Sequence, residues 1–195
     1  SITCGEGGAI ITNHKKYAEI IRSVSNNGMT KPAFKRFINN KYIPWDVYNY
    51  GFKANLSDIN ASILEDQIIT YSDTAKIKKK IFEKYKFHLN KIKEIFFPQE
   101  NKNKNRDYYL FPIGVNKKYR NKLIEYLLKN KTFVTVNFRS INELNYYKKK
   151  YNKTKCPKSE KWGKETLSLP FHVKLNDKEI KKVSEQIKKF FKKNN

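Results

Sequence analysis

The chain has 195 residues, 38% hydrophobic and 14% aromatic, enough to build a core, so disorder throughout is not expected. No stretch approaches the roughly 20 consecutive apolar residues of a membrane-spanning helix, and the first residues lack a basic segment followed by an apolar one, so the expectation is a soluble, cytoplasmic protein. The net charge of +24, from 42 basic and 18 acidic residues, invites a polyanion partner.

That invitation is weakened by which cations carry the charge. Arginine occurs only at Arg22, Arg36, Arg106, Arg120 and Arg139, whereas bidentate phosphate and guanine recognition favours arginine over lysine. Lysine travels here with asparagine, isoleucine, tyrosine and phenylalanine, the residue set of an AT-rich coding sequence, and the charge reads as drift on solvated faces. Cys4 and Cys156 are isolated, and His14, His88 and His172 are scattered, so neither a disulfide framework nor a metal site is expected.

In chain order, a turn at residues 3–8 (TCGEGG) with three glycines precedes a short apolar run at 9–12 (AIIT), expected as a strand. Asn13 is placed to cap a helix whose Tyr17, Ile20, Ile21 and Val24 recur at helical spacing, with Asn26-Asn27-Gly28 as its stop. Residues 29–50, with Pro32, Pro44, Trp45 and several tyrosines, read as an ordered loop. Ser57, followed by Asp58, opens what the spacing predicts as one long helix, its apolar stripe running through Leu64, Ile68, Tyr71, Ala75, Phe82, Tyr85, Leu89 and Ile92.

Beyond it, residues 95–97 and 108–115 read as strands, with Pro112 pointing to an edge or a bulge. Residues 99–106 form a polar loop. A helix carrying Tyr119, Leu123, Tyr126 and Leu127 follows, then a β-branched and aromatic run at 132–138 (TFVTVNF) expected as a strand. The remainder is a short helix at 143–151, a loop through Cys156 and Pro157, a strand at 167–170 (LSLP), and a last helix with Ile180, Val183, Ile187 and Phe190 on one face. Strands and helices are interspersed, which gives an α/β layered fold.

Alone, the GEGG turn says little, since it is neither a dinucleotide fingerprint nor a P-loop. Its neighbours make it specific. The opening SITCGEGGAIITN, the stretch 51–61 (GFKANLSDINA), 136–139 (VNFR) and 167–170 (LSLP) resemble, in order and approximate spacing, the DegT/DnrJ/EryC1/StrS family of sugar aminotransferases. The resemblance implies the C-terminal part of a fold-type I aminotransferase dependent on pyridoxal 5'-phosphate (PLP). Residues 1–56 would be the remainder of the large cofactor domain, 57–92 a connecting helix, and 93–195 a small α/β domain.

The resemblance also implies roles. The cofactor lysine of the family stands just ahead of the position of Ser1, so no catalytic residue is expected within these residues, and the piece alone is expected to be inactive and poorly stable. Starting at Ser1 inside a motif fits a fragment, a processed product or a truncated frame. Asn55 matches the asparagine that reaches across a homodimer to the neighbouring subunit's cofactor phosphate; a capping or turn role is the plainer alternative. Gly5, Glu6, Gly7 and Gly8 would shape the wall following the lysine, with Glu6 either positioning backbone donors or making an ion pair. Lys53 would hold phosphate or substrate, or be a solvated lysine.

Asn137 stands where histidine is usual and Tyr109 where another histidine is common, which loses titration near neutral pH and puts substrate choice in question. Arg139 is the candidate for an anionic nucleotide moiety, against the alternative of an exposed arginine after a strand. The implied reaction moves an amino group from an amino acid, with glutamate as the expected donor, to a nucleotide-linked keto sugar in cell-surface polysaccharide or amino-sugar biosynthesis. A homodimer is implied, with no metal, membrane or nucleic-acid partner. Two other readings stand beside it: a basic polyanion-binding module, and an inactive structural remnant.

Overall fold

The computed structural model describes residues 2–29, 37–38, 40–99, 107–151 and 154–194, and the chain divides into two compact units, Ile2–Thr70 and Tyr71–Asn195. No helix among the described residues is long and apolar enough to cross a membrane.

The first unit holds α1 (Lys15–Val24), a two-residue hairpin of β1 (Phe37–Ile38) and β2 (Lys41–Tyr42), and α2 (Asp58–Ile69). The α1 N-cap is His14 rather than Asn13, and it makes no side-chain cap. Its stop is as expected: Asn27 and Gly28 both take positive φ, and the Gly28 amide returns to the Ser23 carbonyl at 2.8 Å. Residues 9–12 do not form the expected strand, for they have no ladder partner among the described residues, and Ile10 and Ile11 stand exposed. The expected ordered loop at 29–50 contains the hairpin, turned at Asn40 with φ 60°, and a bridge between Met29 and Val47. Pro32 lies outside the described residues. Among the described apolar side chains of this unit only Cys4 is buried.

The long helix expected from 57 to 92 is two helices, α2 and α3 (Tyr71–Leu89), interrupted at Thr70. Thr70 ends α2 with both its amide and its hydroxyl turned back to the Asp66 carbonyl, at 3.0 and 2.8 Å. The apolar stripe runs through this position without a break, which is why spacing alone joins the two helices.

The second unit continues with β3 (Ile95–Phe96), β4 (Phe111–Val115), α4 (Lys117–Lys129), a 3₁₀ turn (Ile141–Glu143), α5 (Asn145–Lys150), α6 (Pro157–Glu165), β5 (Thr166–Leu169) and α7 (Asp177–Asn194). Its antiparallel sheet has the order β3-β4-β5, with Ile95 opposite Val115 and Phe111 opposite Leu169. Alternation sends Phe111, Ile113 and Val115 to one face. There Tyr85 of α3 stacks on Phe111 at 4.8 Å, and Ile180, Val183, Ile187, Phe190 and Phe191 of α7 complete the core with Leu123 and Leu127 of α4. Each such side chain contributes roughly 1.5–3 kcal/mol on burial. The opposite face receives α6, whose Trp162 meets Phe96 edge-on at 6.1 Å.

Three expectations are corrected here. Pro112 lies in the central strand, but β3 pairs only with Gly114 and Val115, so Pro112 has a ladder neighbour on the β5 side alone. Residues 132–138 are not a strand: a single bridge joins Thr135 to Ser168, with amides donating both ways at 3.3 and 2.7 Å. The loop expected after Cys156 is the helix α6, begun by Pro157 at its first turn and held by Glu160, which accepts from the Cys156 amide at 2.9 Å. The polar loop at 99–106 falls, apart from Gln99, outside the described residues.

Candidate functional site

In the first unit, the stretch 51–54 is laid along the C-terminal end of α1. The Phe52 amide donates to Val24, Asn27 to Phe52, and Ala54 to Ser25, at 2.7, 2.9 and 2.9 Å. Two glycines make this approach possible. A Cβ on Gly51 would fall 2.1 Å from the Gly28 nitrogen, and one on Gly28 would fall 1.8 Å from the Asn49 carbonyl oxygen. The extended strip then runs through Lys53 and Asn55 to Ser57, whose hydroxyl accepts from the Asn60 amide at 3.2 Å and starts α2.

The first turn of α2 ties this strip to the glycine loop. Asn60 Nδ2 donates to the Glu6 carbonyl at 3.2 Å, and a Cβ on Gly7 would meet Cys4 Sγ at 2.8 Å and Leu56 at 3.0 Å. Gly5, at φ 83°, and Gly8 have open space where a side chain would be. The two motifs, far apart in sequence, are therefore neighbours within one unit. Glu6 contributes through its backbone carbonyl, and its carboxylate makes no ion pair among the described residues. The side chains of Lys53 and Asn55 are exposed and have no partner among the described residues.

Asn137 and Arg139 belong to the second unit. They border a groove of about 710 Å³ with Phe138, Ile141, Leu144 and Trp162. Thr135 Oγ1 donates to Asn137 Oδ1 at 2.7 Å, so the acceptor of that amide is engaged and its NH₂ has no protein partner among the described residues. Among the described residues, Arg139 Nη2 donates to the Glu143 carbonyl at 3.4 Å. The segment is pinned from behind by residues the sequence did not single out. Buried Ser140 pairs with Ser159 at 2.9 Å, and Asn142 donates to Glu160 at 2.6 Å and to the Thr154 carbonyl at 3.0 Å. These hydrogen bonds from Cys156 and Asn142, and then the nearby lysines, hold the Glu160 carboxyl below its ordinary range. Tyr109 is exposed.

Lys53 and Asn55 present donors without partners among the described residues, which suits a phosphate group, and the Asn137–Arg139 edge suits a polar, anionic ligand. The elements of the two units are mixed α and β. The sugar aminotransferase Spr1654 from Streptococcus pneumoniae, in its PMP form, matches the fold at a TM-score of 0.80 and 23% identity, over 96% of this chain and 48% of that one. Residues 1–188 match the DegT/DnrJ/EryC1/StrS aminotransferase family, and the chain belongs to it.

Among curated relatives, an uncharacterized protein of Methanocaldococcus jannaschii is 28% identical over 100% of this chain and 52% of its own length. The spore coat polysaccharide biosynthesis protein SpsC of Bacillus subtilis is 26% identical over 96% of this chain and 50% of its own. The chain thus spans about half the length of the curated relatives it matches.

Proposed function

We propose that this chain is the downstream part of a PLP-dependent aminotransferase that delivers an amino group from an amino acid, glutamate as the expected donor, to a nucleotide-linked keto sugar, in the cytoplasm and on the path to a surface polysaccharide or amino sugar. The observation that carries the reading is the joining of the GEGG turn to the strip 51–60 through Asn60 and Leu56, which brings two of the family-like motifs together in one unit. The relation to SpsC, a polysaccharide biosynthesis protein, supports the pathway class, and the PMP-form neighbour supports the cofactor.

The residues present fit the phosphate end of the cofactor. Asn55 would donate to the cofactor phosphate of the neighbouring subunit of a homodimer, Lys53 would hold phosphate or substrate, and Gly5, Glu6, Gly7 and Gly8 would shape the wall following this subunit's own lysine, Gly5 and Gly8 leaving open space. When bound, PLP supplies the electron sink for amino transfer. Asn137 and Arg139 would orient the sugar nucleotide, the amide by hydrogen bonding and the guanidinium by pairing with phosphate. Residues 1–56 would belong to the large domain, 57–92, here α2 and α3, would form the connection, and 93–195 would form the small domain. The exposed Ile10, Ile11, Ile59, Ile63 and Ile69 of the first unit support its packing on further polypeptide in the whole protein.

The test is a protein extended upstream to the length of the relatives it matches. It should show a cofactor absorbance band that borohydride fixes to one lysine, and Asn55→Ala should weaken cofactor binding about tenfold, the worth of one hydrogen bond to a charged phosphate. Absence of the adduct would sink the proposal.

A further inference from the structure

Arg139 also borders a second basin, of about 450 Å³, together with Arg120, Glu143, Asn145, Lys148 and Lys164. We propose that this basin is a binding site for a phosphoryl anion, such as a phosphate or the diphosphate of a larger molecule.

Four cationic side chains face one carboxylate, and that carboxylate is already taken: Glu143 pairs with Lys164 at 2.7 Å. Arg120 is the odd member. It projects from the first turn of α4, its Nε is buried, and that donor has no hydrogen-bond partner among the described residues. A buried N–H without an acceptor is uncommon in a native protein and asks for a ligand that the protein itself does not provide. Among the described residues no carboxylate forms an ion pair with the guanidinium; burial, and then the charge of Arg139, hold Arg120 below the ordinary arginine range. Two guanidiniums in mutual repulsion are held together here by the fold, and a dianion between them would reverse the sign of that interaction.

The second arm of the site depends on Gly163. A Cβ there would fall 2.8 Å from the Ser140 nitrogen and 3.2 Å from Arg139 Cα, so the absence of a side chain lets α6 close on the Arg139 backbone and present Lys164 to the basin. The volume lies within the roughly 300–1,000 Å³ of small-molecule sites, and the lining is polar. A bare cleft for apolar ligands would not carry this charge, and a solvated basic face would not bury an arginine nitrogen.

Calorimetric titration of the full chain, which needs neither cofactor nor turnover, separates this inference from the aminotransferase reading. Inorganic pyrophosphate is expected to bind saturably at one site. Arg120→Lys keeps the charge but removes the fork and should weaken binding about tenfold, a loss fit for a charge-assisted pair; Lys148→Gln, at an exposed position of α5, should weaken it by about threefold without touching the core. Uridine diphosphate binding more tightly than pyrophosphate would identify the ligand as the tail of a nucleotide, and equal binding would identify a free phosphoryl anion. Undiminished binding in Arg120→Lys and Lys148→Gln, or many weak equivalent sites, would mean diffuse attraction to a cationic chain and would overturn the proposal.

Discussion

Replacing Gly51 by alanine tests how the cofactor-side strip is held. The new Cβ would lie 2.1 Å from the Gly28 nitrogen, 2.5 Å from the Asn27 carbonyl carbon and 2.8 Å from the Val24 carbonyl oxygen. All three are backbone atoms, so no side chain can swing aside. Two responses are open: the crowding is absorbed as strain of about 1–3 kcal/mol, or the strip lifts and the three amide bonds from Phe52, Asn27 and Ala54 are lost at about 0.5–1.5 kcal/mol each. Both lead to about 2 kcal/mol, or roughly 30-fold faster exchange of those amides. Gly8→Ala, with open space around it, is the control and should leave them unchanged. Native-state hydrogen exchange read at Asn27, Phe52 and Ala54 is the assay. Protection in Gly51→Ala within twofold of the parent would refute the close-approach argument, and with it the account of how Lys53 and Asn55 are aimed.

Tyr85→Phe removes a phenol that donates to the Pro170 carbonyl at 3.1 Å from a fully buried position, and should cost about 1 kcal/mol in urea denaturation at neutral pH. Burial, and then the Glu179 charge, push that phenol above its ordinary range, so its protonated form is favoured in the fold. The stability this contributes is complete below the unfolded value of about 10 and is lost as pH climbs from there, so the gap between parent and Tyr85→Phe should narrow in alkali. Glu160→Gln probes the opposite sign: a carboxyl held low by the Cys156 amide and Asn142 contributes above its unfolded value and loses that contribution as pH falls through the folded one. Parent and variant should converge in acid melts below about pH 4.

Where a long apolar stripe meets a partner, sequence was a sufficient guide. The faces of α3, α4 and α7 were readable because Phe82, Tyr85, Leu123, Leu127, Ile180 and Phe190 recur at helical spacing and fill one core. The helix α6 was not, because KSEKWGKE offers Trp162 as its only large apolar side chain and its start is fixed by Pro157 and Glu160. Residues 132–138 had the composition of a strand, but β-forming side chains need a ladder, and only Thr135 finds one. Lys53, Asn55, Asn137 and Arg139 were singled out through motif order alone. Arg120 was hidden among the lysines of α4, and only the three-dimensional arrangement reveals its buried nitrogen.

The second unit closes α3 against α7, with six strands and helices between them in the chain. On a ribosome, at roughly 5–20 residues per second, the apolar side of α3 would wait on the order of 5–20 s before α7 is made. Loss of α7 would strip five buried side chains from the shared core. Until α7 arrives, the growing chain carries bare apolar surface that favours aggregation, and a product ended before α7 would keep that surface uncovered.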